Sequence, residues 1–252
     1  MNLFTILPIV APAGSFPTIS PSDIEYFVDY EVDSYDHWIF NKGGVANLTG
    51  LKQAKVLTAQ ATPTYSSNYL TISTLSSNAL LTDLPNESST QVDTVCAVVR
   101  LATVGAGIQV LLGSLGPTTD TPPLNGGGLF VDTGASYTTY RGVTSSASAG
   151  NSLSAGAWYF VAVSRTFSGS TKYVRTLIGG GSVVEQSSAG PYQPALAGRK
   201  IACGNAYYNS VITNTMDFAE FVVFQTAMTS SELLSLYTRR KSQMAVIGIT
   251  VV

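Results

Sequence analysis

MDFAEFVVFQTAMTSSELLSLYTRR, Met216 to Arg240, reads as one strand followed by one short helix, and the rest of the chain is best understood outward from it. Phe218 to Phe224 is apolar and aromatic except for Glu220, too short for a helix of its own and rich in strand formers. The helix behind it has a signed start. Thr229 and Glu232 have the S/T-x-x-E spacing of a capping box, and Met228 and Leu233 flank the cap where a hydrophobic staple packs. Leu233 shares a turn with Tyr237, and Leu236 with Arg240. Arg239, Arg240 and Lys241 are expected at the negative end of the helix dipole. Asp217 and Glu220, three apart on a strand, are expected on opposite faces. Glu220 is expected to be a structural acceptor for backbone or tyrosine donors, because burying it unpaired would cost several kcal/mol.

Composition narrows the function classes. Charged residues are 11% of the 252, hydrophobic residues 45%, and the formal net charge is −2. About 25% charged is usual, so the surface is built from hydroxyls and amides or is covered by partner subunits. No basic field exists for nucleic acid, and no apolar run approaches the roughly 18–20 residues that cross a bilayer. Nucleic-acid partners and membrane insertion are therefore not expected. Cys96 and Cys203 stand in apolar strand-like contexts and read as buried free thiols. The single histidine, His37, excludes multi-histidine metal sites.

Taken in order, residues 1–21 carry prolines at 8, 12, 17 and 21 and no helical period, which predicts an extended arm. Leu3 to Ala13 imitates a signal peptide. No Lys or Arg precedes it and Pro8 interrupts it, so a retained arm is the expectation. Ile24 to Val32 alternates over nine residues as a half-buried strand, which Tyr35 to Phe40 extends after a turn. Loops follow to Ser67, with a short strand expected at Ala54 to Leu57. Further strands are predicted at Tyr69 to Ser73, Val92 to Ala102, Ile108 to Ser114, Leu129 to Asp132, Ser136 to Arg141, Ala157 to Arg165, Lys172 to Ile178, Ser182 to Gln186 and Ile201 to Gly204. Between them, Gly116 to Gly128 is a long Pro- and Gly-rich loop of the kind that carries function. Short strands at such spacing, with one late helix, predict an all-β two-sheet antiparallel sandwich with terminal arms. The expected organisation is an arm at 1–21, a sandwich at 22–240 and an apolar tail at 241–252. MAVIGITVV at the end needs a partner, within the domain or in another subunit.

Phe218-Ala219-Glu220-Phe221, Val223-Phe224, Met228-Thr229, Glu232 and Tyr237 resemble the closing signature of laminin G-like, concanavalin A-like lectin domains, with Met216 where many members have glycine. Tyr69 to Ile72, the strand from Val92, AWYFVAVSR from Ala157 and Ile201 to Gly204 resemble other strands of that family. The likeness spans about residues 69–240 and implies a jelly-roll sandwich, of the kind found in tailed-phage virion proteins.

The candidate sites follow. Such domains often bind Ca²⁺ at the sandwich rim, and Asp120 and Asp132, with Asn125, are the oxygen ligands near the glycine loop. Tyr207, Tyr208 and Asn209, with Asn125, suit sugar recognition, since aromatic faces beside amides fit a sugar ring. Tyrosines that merely cap the sandwich edge are the structural alternative. Glu25, Asp29, Glu31 and Asp33, with Asp36 and His37 beyond, read as a solvated acidic strand face, with calcium, a subunit contact or catalysis as alternatives. Glu31-Val32-Asp33, with Asp36, resembles the E-x-D-x-x-E motif of a glycosidase family on this fold. The expectation is a non-enzymatic structural protein of a virus particle, homo-oligomeric and in contact with other virion subunits. The alternatives are a glycan-binding adhesin, secreted or at a cell surface, and, more remotely, a glycoside hydrolase or lyase.

Overall fold

A computed structural model of the chain describes residues 30–86, 88–104, 107–123, 125–133, 135–138 and 147–252. The expected arm and the strand positions from Ile24 to Asp29, with the acidic residues Glu25 and Asp29, lie outside them. In chain order the strands are β1 Asp36–Ile39, β2 Thr58–Ala59, β3 Thr64–Tyr65, β4 Leu70–Ser73, β5 Leu80–Pro85, β6 Asp93–Leu101, β7 Ile108–Gly113, β8 Gly128–Asp132, β9 Ala135–Thr138, β10 Ala147–Ser148, β11 Trp158–Ser168, β12 Thr171–Ile178, β13 Val184–Ala189, β14 Lys200–Cys203 and β15 Thr215–Phe224, followed by α1 Ser230–Val246. One sheet runs β13-β12-β11-β6-β15-β4-β3, with β1 also paired to β15; the other runs β10-β9-β8-β7-β14-β5-β2. The result is the all-β two-sheet antiparallel sandwich expected from the sequence, closed by one C-terminal helix.

The unbroken apolar runs of β6 and β15 have a direct cause. One face of each packs into the space between the sheets, through Val95, Ala97, Val99 and Leu101 of β6 and Phe218, Phe221 and Val223 of β15, against Leu111, Leu129, Val131 and Ile201 of the second sheet. The other face is covered by α1, whose Leu233, Leu236 and Met244 pack on Cys96, Val98, Ala219, Val222 and Phe224. A strand buried on both faces loses its alternation. β5 was invisible in the sequence because Asp83 and Pro85 give LLTDLP the look of a loop. Its Leu80 and Thr82 are nonetheless buried, and Thr82 Oγ1 donates to the Ile201 carbonyl at 2.8 Å. The strand expected at Ala54 to Leu57 is a single bridge between Thr49 and Val56, and the regular pairing begins at β2.

Two details of the closing unit correct the sequence reading. The pairing of β15 with β6 shifts between Phe218 and Glu220, so Ala219 is an extra residue in a β-bulge. Asp217 precedes the bulge and Glu220 follows it, and both consequently face the helix side instead of opposite sides. The capping box forms as predicted: Glu232 N–H donates to Thr229 Oγ1 at 3.3 Å and Thr229 N–H to Glu232 Oε2 at 2.7 Å. The helix then continues past Arg240 to Val246 and stops before Gly248, whose φ is +81°. Arg239 and Arg240 are thus in mid-helix, drawn to acidic partners on the sheet, and the last turn contains no basic residue.

The end of the chain finds its cover inside the domain. Met244, Ile249 and Val251 are buried, Val251 bridges Trp158 in parallel, and Val252 N–H donates to the Trp158 carbonyl at 2.9 Å.

Candidate functional site

Of the acidic residues expected on a solvated face, Asp33 is exposed but Glu31 and Asp36 are buried, as is His37. The physical reason is the helix that covers this side of the first sheet. Glu31 receives the Arg239 guanidinium on both oxygens, at 3.2 and 2.8 Å, and Arg240 Nε stands 3.1 Å from its Oε1. Glu31 N–H donates to His37 Nδ1 at 3.0 Å, which places the ring proton on Nε2. Nε2 in turn donates to Glu220 Oε1 at 2.7 Å, and Arg240 Nη1 donates to the same oxygen at 3.0 Å. The donors to Glu220 are therefore imidazole and guanidinium, in place of the expected backbone or tyrosine groups. Two carboxylates and two guanidinia around a neutral imidazole form a cluster without net charge, the condition for burial of ions.

Asp36 points elsewhere. Its carboxylate accepts from the backbone N–H groups of His37, Lys52, Gln53 and Lys55, between 2.8 and 3.3 Å. Gly50 lies so close that a Cβ there would stand 2.2 Å from Asp36 Oδ2. Glu31 and Asp33 both line a ≈ 650 Å³ groove beside α1, Glu31 tied into the ion cluster and Asp33 exposed, whereas Asp36 is turned away into a backbone nest. The three carboxyls of the glycosidase-like motif therefore do not converge on one point. Asp217 is equally committed. It accepts from Thr71 Oγ1 at 2.6 Å and from Arg100, whose guanidinium lies over the touching rings of Tyr69 and Trp158, 4.9 and 4.6 Å from their centroids. Asp93 is held by a buried ion pair with Arg165.

The rim residues proposed from sequence divide into two groups. Asp120 and Asn125, on the β7–β8 loop, meet Arg199 from the β13–β14 loop. Asn125 is wholly buried, and its amide is used in full: Nδ2 donates to Asp120 Oδ2 at 2.7 Å and to the Pro122 carbonyl at 2.9 Å, while Oδ1 accepts from Arg199 Nη1 at 2.9 Å and from Leu196 N–H at 3.2 Å. Arg199 Nη1 also pairs with Asp120 Oδ2, and its guanidinium lies 5.0 Å from the Tyr207 ring centroid. Burial pushes the Asp120 carboxyl up, but the hydrogen bonds from Arg199 and Asn125 outweigh it and hold the group below the ordinary carboxylate range. Tyr207 Oη accepts from Lys200 N–H at 2.9 Å, which fixes the ring over β14.

Tyr208 packs on Val110, Leu115 and Phe130, the apolar outer face of the second sheet, and burial raises its hydroxyl pKa. Asn209 is exposed. Asp132 sits at the far end of β8, about 13 Å along the strand from Gly128 at ~3.3 Å per residue. It accepts from Gly107 N–H and Thr133 Oγ1. Asp120 and Asp132 are therefore not brought together. Among the described residues no three His, Cys, Asp or Glu side chains gather as metal ligands. Calcium takes 6–8 oxygens, and with Asp120 already bonded to a guanidinium the residues present do not fit that ion.

Sequence reasoning missed two residues of this rim. Arg199 carries the only hint, a cation beside a strand in a chain with just 13 Lys and Arg. Asn205 gave none: wholly buried, it donates to the Thr74 and Tyr208 carbonyls and accepts from Tyr208 N–H, and so holds the tyrosine loop.

The fold is a two-sheet antiparallel β-sandwich closed by one C-terminal helix. Among solved structures it is similar to the binding domain of botulinum neurotoxin serotype G (TM-score 0.58, 11% identity, 83% of this chain and 51% of that one). It is similar also to the serotype D ligand-binding domain in complex with N-acetylneuraminic acid (0.56, 12%, 82% and 51%). A third likeness is to Trypanosoma rangeli sialidase in complex with sialic acid (0.60, 13%, 90% and 36%). The chain spans about half of the toxin domains and about a third of the sialidase, and at these identities the likeness is one of fold. No family profile and no curated protein matches the chain.

Proposed function

We propose that the domain is a non-enzymatic module of a virus particle, with a lectin-like sandwich whose rim binds a glycan. One observation carries the binding reading over turnover. Every carboxylate that the described fold buries is committed: Glu31 and Glu220 to Arg239, Arg240 and His37, Asp93 to Arg165, Asp217 to Arg100, and Asp36 to backbone N–H groups. An acid–base pair needs one carboxyl free to exchange a proton with substrate. The glycan class is supported by neighbours of this fold that hold N-acetylneuraminic acid or sialic acid, and by the polar and aromatic groups at the β7–β8, β13–β14 and β14–β15 loops. The particle setting is supported by the 11% charge content and by the uncharged sequence of residues 1–21, which suit a chain covered by neighbouring subunits.

A glycan array probed with the whole chain, followed by analysis of the bound glycans for new reducing ends, tests the reading. Retention of intact glycan is expected, and cleavage would overturn it. Sedimentation velocity tests the assembly half: homo-oligomers are expected, and a monomer at all concentrations would remove it.

A further inference from the structure

His37 is the one histidine of the chain, and it is fully buried where α1 lies on β1 and β15. Its two ring nitrogens are engaged in opposite senses. Nδ1 accepts the Glu31 N–H at 3.0 Å, whereas Nε2 donates to Glu220 Oε1 at 2.7 Å, with Arg240 Nη1 only 3.4 Å away. Charged and titratable groups approach it from each element packed around it. Glu31 and Asp33 come from the segment before β1, Asp36 from β1 itself, Lys52 from the loop after it, Cys96 from β6, Glu220 from β15, and Arg239 and Arg240 from α1. Four of these carry the charge balance: Glu31 and Glu220 against Arg239 and Arg240. Of the others, Asp33 is exposed, Asp36 and Lys52 have opposite charges and are bonded to backbone groups, and burial pushes the Cys96 thiol well up, which keeps it neutral.

We propose that His37 is an acid switch on α1: when its ring takes a second proton, Arg240 is displaced and the second half of the helix lifts from the sheet. The switch is independent of the glycan-binding reading. An imidazole ordinarily gains its charge between about pH 5 and 8, and His37 is the only one in the chain. A proton on Nδ1 has two consequences. The Glu31 N–H loses its acceptor, because an imidazolium donates from both nitrogens. The cluster also gains a third cation against two carboxylates, a surplus that a buried site does not hold. One cation must leave, and the geometry selects Arg240. It shares Glu220 Oε1 with the ring, whose own bond to that oxygen becomes charge-assisted and stronger. Arg240 Nε is moreover buried without a hydrogen bond, despite its approach to Glu31. Arg239 keeps both its bonds to Glu31 and is half exposed, so it stays. With Arg240 gone, the four remaining groups are again neutral. Leu236 and Met244 lie one turn to either side of Arg240, so its departure loosens the packing of α1 on Val98, Ala219 and Val222.

The test uses the whole chain. Because His37 is the one histidine, nitrogen NMR of labelled histidine reports its tautomer and its proton uptake without a variant. A neutral ring carrying its proton on Nε2 is expected at about pH 7.5, and a proton on Nδ1 there would overturn the proposal. Backbone hydrogen exchange, corrected for the intrinsic rate at each pH, is then followed from about pH 7.5 to about pH 5.5. As the ring takes up its proton, protection of residues 237–246 should fall by up to about tenfold per pH unit, the limit for a single proton, while β6 and β15 stay protected. The proposal fails if the ring is protonated and α1 keeps its protection, if α1 loosens while the ring stays neutral, if neither changes, or if β6 and β15 open together with α1. These wild-type measurements decide it by themselves. Arg240→Met adds a second check, since it removes the competing cation and leaves a side chain that can pack. Its ring should take up the proton at a higher pH than in wild type, and its helix should no longer respond. An unchanged uptake or an undiminished response would overturn the assignment of Arg240.

Discussion

Glu220 shows what one residue does when both of its neighbours are cationic or protonated. It is 1% exposed and accepts from His37 and Arg240 on one oxygen. Removing it leaves a guanidinium in the interior with half its compensation. Glu220→Ala should therefore cost about 3–5 kcal/mol, the usual penalty for breaking a buried ion pair from one side. Urea denaturation at neutral pH checks this, and a loss below about 1 kcal/mol would show that water reaches the cluster. Gly50 makes the same point without charge. Its missing Cβ is the space that the Asp36 carboxylate occupies, so Gly50→Ala should destabilise the chain by displacing Asp36 from four backbone donors. Neither dependence was legible in the sequence, because His37, Glu220 and Arg240 are far apart in the chain and meet only when α1 lies on β15 and β1.

The helix is the element where local sequence was most informative and where its limit is also clearest. The capping box is a short-range arrangement, fixed by residues three apart, and it formed as read. Thr229→Ala should cost about 1 kcal/mol, measured as a shift of the urea midpoint with the slope unchanged. Glu232 adds a pH dependence. Its carboxyl is held below the ordinary value of 4.5, first by the Thr229 N–H and then by the Thr229 hydroxyl. A depressed carboxyl contributes stability that is present above its unfolded-state pKa and lost as pH falls through the folded one. The stability gap between wild type and Glu232→Gln should therefore be constant at neutral pH and shrink below about pH 4.5, which thermal melts across that range would reveal. The far end of the helix was misread because no local signal stops it at Arg240. Gly248 and the packing of Met244 decide where it ends.

At the scale of the molecule, the last residues belong to the core. Met244, Ile249 and Val251 join the cluster that α1 makes with the outer face of β6, β11 and β15. Each buried aliphatic of this size is worth about 2–5 kcal/mol when removed, against a whole-domain stability of about 5–15 kcal/mol. A chain ending at Ser242 should accordingly fail to melt cooperatively and should bind a hydrophobic dye. A sharp transition near the wild-type temperature would show that the tail is dispensable. The rim depends on the whole molecule in the same way. Asp120, Arg199 and Tyr207 come from three loops that the β7-β8 and β14 pairings bring to one place.

By itself the sequence determined the class of fold. Strand alternation, turn residues and one capped helix are all short-range properties, and hydrophobic burial follows from them wherever two sheets and a helix must cover each other. Only the tertiary structure decided what the charged residues do. A carboxylate in a chain this poor in charge can be solvated, paired or set to work, and its sequence neighbours carry no information about which. The choice depends on the cation that long-range packing brings within reach: Arg239 and Arg240 for Glu31, Arg240 for Glu220, and Arg199 for Asp120.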